Sequence, residues 1–137
     1  MRISRQLLNR IAEHAAATYP GECCGLLVGR GDEVLAVEPT RNARAPECDD
    51  RFEIDPVDHV RVFEAARGGG WQIVGCYHSH PDGLPVPSAI DRRHAQAFGG
   101  PFGYLVVAIQ DGFDCRLFAG RIERDGRIVE TKLDVEG

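Results

Sequence analysis

The chain has 137 residues, 43% hydrophobic and 27% charged, with a net charge of -5. That size and composition fit one compact domain over residues 1–137 with a buried core, and suggest neither a disordered chain nor a fibrous repeat. Acids and bases are interspersed, so no basic surface for nucleic acid is expected, and no run approaches the ~20 apolar residues that cross a bilayer.

Along the chain, Ser4 can cap a helix over about 4–18, in which Ile3, Leu7, Leu8, Ile11 and Ala15 recur at helical spacing before Pro20-Gly21 stops it. CCGLLVG and EVLAVEP, separated by turn residues from Gly29 to Asp32, predict a hairpin. After the polar stretch ARAPECDD, RFEID suggests a short strand, and Pro56 opens a second helix that ends at Gly68-Gly69-Gly70. WQIVGCYHSH reads as a buried strand, and residues 81–87 as a rigid proline-rich loop. Ser88 can cap a third helix, AIDRRHAQAF, closed by Gly99-Gly100-Pro101. GYLVVAIQ, FDCRLFAG and RIVETKLDV then predict three strands. Hairpins mixed with crossover helices imply an α+β fold: a central mixed, largely antiparallel sheet with helices packed on its faces. The glycine clusters lack both phosphate-loop patterns and read as helix stops.

Five cysteines, Cys23, Cys24, Cys48, Cys76 and Cys115, include no CxxC pair. This is reduced usage, and the expected location is the cytoplasm.

The chemistry concentrates in His78-Ser79-His80-Pro81, six residues, then Ser88-Ala89-Ile90-Asp91. Side chains two apart on a strand share a side, so His78 and His80 can address one ion. Asp91, in the first turn of the next helix, can supply a third ligand. Two imidazoles and a carboxylate suit Zn2+ and leave a coordination position for water, the arrangement of catalytic rather than structural zinc. Glu22, following Pro20-Gly21 at the mouth of an apolar strand, is a carboxylate in need of a partner and a candidate general base. Taken singly, each piece has a plain explanation: a strand histidine, a solvated strand-end charge, or Ser88-x-x-Asp91 as a helix cap. It is the combination that argues for a site.

HSHPDGLPVPSAID resembles the signature of the JAMM/MPN+ zinc metalloproteases, and YPGECCGLLVG is similar to their upstream glutamate-bearing segment. The similarity extends over nearly the whole chain. The resemblance implies an MPN/JAB-like fold and hydrolysis of an amide or isopeptide bond. It implies His78, His80 and Asp91 as zinc ligands, Glu22 as activator of the metal-bound water and Ser88 as a stabiliser of the tetrahedral intermediate. The chain lacks room for the long insertions of ubiquitin-specific members after Asp91. Its brevity resembles the stand-alone prokaryotic type, whose partners are ubiquitin-like or sulfur-carrier proteins with a Gly-Gly tail.

Other residues carry weaker readings. His94, three positions after Asp91, could approach the metal, whereas Arg92 and Arg93 read as a solvated face. Cys23 and Cys24 beside Glu22 raise a thiol-protease reading, which the apolar strand context disfavours. Cys76 reads as core, and His14 and His59 have no ligand spacing. Two rival functions are a scaffold module without catalysis and a non-haem iron enzyme using the same two-His-one-Asp set.

Overall fold

Helix α1 (Arg5–Thr18) begins where the Ser4 hydroxyl accepts a hydrogen bond from the Leu7 amide at 3.2 Å, and it buries Leu8, Ile11 and Ala15. This is the expected amphipathic helix, preceded by a short strand, β1 (Arg2–Ser4), that sequence periodicity did not reveal. The computed structural model describes residues 1–44, 52–98 and 100–137. The predicted hairpin is β2 (Cys24–Arg30) with β3 (Glu33–Thr40). Helix α2 (Pro56–Gly68) has proline at its start and Asp55 as its cap, the carboxylate accepting from the Val57 and Asp58 amides at 2.8 and 3.2 Å. Strand β4 (Gln72–Pro81), helix α3 (Ala89–Phe98), β5 (Phe102–Gln110) and β6 (Asp114–Ile122) follow.

Two expected strands take a different form. RFEID provides a single antiparallel bridge, Asn42 with Ile54, while Arg51 lies outside the described residues. RIVETKLDV divides into β7 (Ile128–Glu130) and β8 (Asp134–Glu136), which occupy opposite edges of the sheet. The strand order is β7-β6-β5-β4-β2-β3-β1-β8. Laid flat, eight strands at ~4.8 Å spacing would put the edges ~34 Å apart, yet residues 131–133 span at most ~15 Å. The sheet must therefore curl until its edges approach. Hydrogen bonds from Asp134 N to Met1 O (2.9 Å) and from Thr131 N to Ala119 O (3.0 Å) tie the edges down. Pairing is mixed: β2–β3, β2–β4, β5–β6 and β6–β7 are antiparallel, and β1–β3, β1–β8 and β4–β5 are parallel.

Because strand side chains alternate, the sheet supports two cores. On one face α1 packs with Leu27, Tyr77, Leu105, Val107 and Ile109. On the other, α2 contributes Val62 and Ala66 and α3 contributes Ala95 against Leu26, Val28, Cys76, Tyr104 and Val106. Gly25 is required beneath Tyr77, since a Cβ there would lie 2.4 Å from the ring. Among the described residues no helix is long and apolar enough to cross a membrane.

Candidate metal centre

Strand β4 is central, paired with β2 and β5, and His78 lies opposite Cys24 on one side and Val106 on the other. This placement buries His78 completely. His80, two residues on, shares its face and retains some solvent exposure. Ser79 alternates to the α1 side, where it clamps the start of β2: its amide donates to Cys23 O at 3.0 Å and its Oγ accepts from the Cys23 amide at 2.8 Å. The clamp brings Glu22, one residue earlier and 4% exposed, to 3.8 Å between Oε1 and His78 Nε2. Asn42 steadies the same segment by donating from Nδ2 to Glu22 O at 3.1 Å.

The proline-rich loop returns the chain so that α3 points its first turn at β4. Ser88 and Asp91 form a reciprocal cap: the Asp91 amide donates to Ser88 Oγ at 3.0 Å and the Ser88 amide to Asp91 Oδ2 at 2.8 Å. The same Oδ2 lies 3.2 Å from His78 Nε2 and 3.0 Å from His80 Nε2, and those two nitrogens are 3.0 Å apart. Helix capping and convergence on the histidines thus use one carboxylate and do not exclude each other.

This triangle fits a metal ion. Ligand atoms at 2.0–2.1 Å around tetrahedral zinc are ~3.3 Å from one another, close to the three separations here, and the donor set is one zinc accepts. Oxygen of Glu22 and nitrogens of His78 and His80 also lie within 4.8 Å of one another. At 3.8 Å from His78 Nε2 the glutamate stands beside the triangle rather than on one of its corners.

Electrostatics favour a neutral His78 and an ionised Asp91, the states a metal needs, and hold His80 toward its protonated form, which a metal would have to displace. Burial pushes His78 downward, outweighing the nearby Asp91, so its imidazole stays neutral. Burial would raise Asp91, but hydrogen bonds with His78 and His80 and the Ser88 amide hold its carboxyl well below the usual range. Burial lowers His80 too; the hydrogen bond to Asp91, the Leu84 carbonyl and the charges of Asp91 and Glu22 reverse that.

A surrounding layer, not evident from sequence spacing, fixes these groups. His80 Nδ1 lies 3.0 Å from Leu84 O, and a carbonyl only accepts, so Nδ1 carries the proton and Nε2 turns its lone pair to the centre. Phe52 stacks on His78 with centroids 4.2 Å apart and planes 15° from parallel. Asp82, at φ 54, anchors the loop: its amide donates to Ile109 O (2.7 Å), and its carboxylate accepts from Tyr19 OH (2.5 Å) and the Asp111 amide (2.9 Å). The Asp82-Gly83 pair could have signalled a turn, but nothing in sequence spacing pairs Asp82 with Tyr19.

His94, Arg92 and Arg93 are exposed on α3. Burial pushes the Cys23 thiol up to about 11 and those of Cys24 and Cys76 to about 12, so none is a thiolate at neutral pH. Cys48 lies outside the described residues. His14, which sequence spacing left without a role, pairs its Nδ1 with Tyr77 OH at 2.8 Å in the α1 core.

A model of prokaryotic homologues of the JAB domain matches residues 4–119. The chain is 43% identical over 104 residues to a desampylase of Haloferax volcanii, covering 74% of this chain and 73% of that one. It is 36% identical over 115 residues to a desampylase of Pyrococcus furiosus, covering 84% and 76%. The crystal structure of a JAB1/MPN domain protein from Archaeoglobus fulgidus has a TM-score of 0.64 at 24% identity, covering 100% of this chain and 97% of that one; the likeness is one of fold.

Proposed function

The chain belongs to the family of prokaryotic homologues of the JAB domain, and from that premise we propose that it is a JAMM-type metallopeptidase. His78, His80 and Asp91 hold Zn2+ in this reading, and the bond cleaved is an amide or isopeptide at the carboxyl-terminal Gly-Gly of a ubiquitin-like or sulfur-carrier protein. The observation that carries the reading is the convergence of three donor atoms within 3.0–3.2 Å of one another, with a buried carboxylate 3.8 Å from one of them. The relatives that are desampylases support the hydrolytic class.

Zinc bound to this triangle would polarise a water and a scissile carbonyl, bringing the water pKa to about 7. Glu22 Oε1 then serves as the base: it takes a proton from the attacking water and returns it to the departing amine. Its burial keeps the proton from bulk water between those two events. Ser88 Oγ already accepts from the Asp91 amide, which leaves its own hydroxyl proton to donate to the oxygen that gains charge at the carbonyl. Leu84, whose carbonyl meets His80, and Val86 are both exposed on the loop that Asp82 anchors and offer apolar surface to a substrate body. A Gly-Gly tail suits a centre reached this way, because it has no side chains to hold the backbone away from Glu22 and Ser88.

The test is metal content by elemental analysis together with mass spectrometry of ubiquitin-fold carriers bearing carboxyl-terminal extensions. One zinc per chain and cleavage after Gly-Gly are expected, with both lost in Asp91→Ala. Wild-type metal content in Asp91→Ala would remove the ligand assignment; cleavage of unrelated peptides with every carrier intact would remove the substrate.

A further inference from the structure

Glu22 stands just outside the strand that leads away from it. Strand β2 begins at Cys24, whose partner on β3 is Thr40, and the same register carried two residues further sets Glu22 opposite Asn42, where ladder pairing has stopped. A side chain takes over there: Asn42 Nδ2 donates to the Glu22 carbonyl at 3.1 Å. On the β4 side the next residue, Cys23, is held by Ser79. The segment that carries Glu22 is therefore gripped from both flanks, by Ser79 at Cys23 and by Asn42 at Glu22 itself.

Asn42 is fastened well enough to hold another segment in place. Its Oδ1 accepts from the amides of Arg44 and Glu53, both at 3.0 Å. Carbonyl oxygens only accept and amide N–H groups only donate, so all three partners agree on which end of the side-chain amide is which. The main chain of Asn42 bridges to Ile54, and on either side Ala43 N donates to Glu53 O at 2.8 Å and Asp55 N to Arg41 O at 3.1 Å. Arg41 N in turn donates to Asp58 Oδ2 at 2.8 Å, and Asp55 caps α2, which ties this stretch to the first turn of that helix. Glu53 follows Phe52, the ring that stacks on His78. One side chain thus reaches the segment of Glu22 with its nitrogen and, with its oxygen, the segment that covers a histidine of the centre.

We infer that Asn42 is a positioning residue for Glu22: its amide group extends the β2–β3 pairing past the end of the ladder and sets the Glu22 main chain so that the carboxylate stands beside the donor triangle. Holding the carbonyl fixes the peptide plane after Glu22, and with it the Cα from which the carboxylate hangs. The effect on turnover follows from geometry, since a misplacement of ~1 Å can cost ~100-fold in rate. The inference rests on the reading of Glu22 as general base, whereas the place of Glu22 is a property of the metal-free protein.

The experiment uses two substitutions, each made beside Glu22 and beside Glu22→Gln. Asn42→Ala removes both arms without adding charge; Asn42→Asp keeps the accepting oxygen and the shape and removes the donor to Glu22. Cleavage rates on ubiquitin-fold carriers with carboxyl-terminal extensions are measured together with zinc content and crystal structures of the metal-free proteins. Ile11→Ala, which lowers stability from the opposite face, is the control. Both Asn42 variants are expected to lower kcat by ~10–100-fold and to move Glu22 Oε1 from its 3.8 Å separation from His78 Nε2, with zinc retained in Asn42→Asp. Beside Glu22→Gln, either should cost no more than about 2-fold further, because a residue that acts through the base has nothing left to position. Equal fold losses in both backgrounds would overturn the inference, as would a loss that Ile11→Ala matches, since general destabilisation would then suffice. A loss in Asn42→Asp alone would trace to its added charge and one in Asn42→Ala alone to the Oδ1 arm; either result overturns it. A wild-type protein that cleaves no carrier would defeat the functional reading, and the place of Glu22 in the metal-free structures would still decide the role of Asn42.

Discussion

On one side of β4, Tyr77 and Ser79 face α1 and a core that includes Ile11, Leu105 and Val107; on the other, His78 and His80 face Glu22 and Asp91 across a few ångströms. Polar atoms on the first side are matched by protein partners, Tyr77 with His14 and Ser79 with Cys23. On the second side three atoms with lone pairs crowd within 3.0–3.2 Å. Two protons at most can relieve that crowding, and a cation relieves it better. From Tyr77 to His80 the same strand thus stabilises the fold with Tyr77 and Ser79 and concentrates reactive donors with His78 and His80. Period-two alternation keeps the two tasks from interfering.

Substitutions that spare one face can break this division or sharpen it. The largest effect is expected from Glu22→Gln, which retains shape and burial while losing the basic oxygen. Turnover should fall by ~10²–10⁴-fold, with zinc content and thermal midpoint close to wild type. Steady-state kinetics beside elemental analysis decides this, and undiminished turnover would reassign the base. Ile11→Ala acts from the opposite face: Ile11 is 1% exposed in the α1 core, so denaturant unfolding should show a loss of about 2–5 kcal/mol. The folded fraction should keep wild-type zinc affinity and kcat; a large change in either would mean that the two faces are coupled. Ser88→Ala should give the smallest of the three, ~100-fold in kcat if its hydroxyl supplies one oxyanion contact. Because Ser88 Oγ also caps the Asp91 amide, a loss of about 1 kcal/mol in stability should accompany it. Loss of stability without loss of kcat would leave Ser88 as a helix cap alone.

Much of this was legible in the chain itself. Helix starts at Ser4 and Pro56, the hairpin of β2 and β3, and the strand through His78 all follow from capping chemistry and apolar period, which are local properties. The H-x-H-P-x6-S-x2-D spacing was legible for a related reason: strand alternation and a single helical turn each fix side-chain direction over two or three residues. The separation of β7 from β8 was not legible, because nothing local distinguishes one long strand from two short ones on opposite edges. β1 escaped notice as well, being three residues long and paired in parallel with segments distant in sequence.

Sequence by itself determined which residue types could meet at a centre and which elements would carry them. It determined the alternation that puts His78 with His80 and separates both from Ser79. Tertiary structure alone decided that Glu22, 56 positions before His78 in the chain, would stand 3.8 Å from it, because β2–β4 register and the Ser79–Cys23 clamp act across the sheet. It alone decided that Asp91 would serve helix cap and histidines with one oxygen, and that Asp82 would pin the intervening loop to Tyr19. The physical reason is range: caps, turns and periodicities are set by neighbours a few residues apart, whereas strand register and burial are set by the whole core at once.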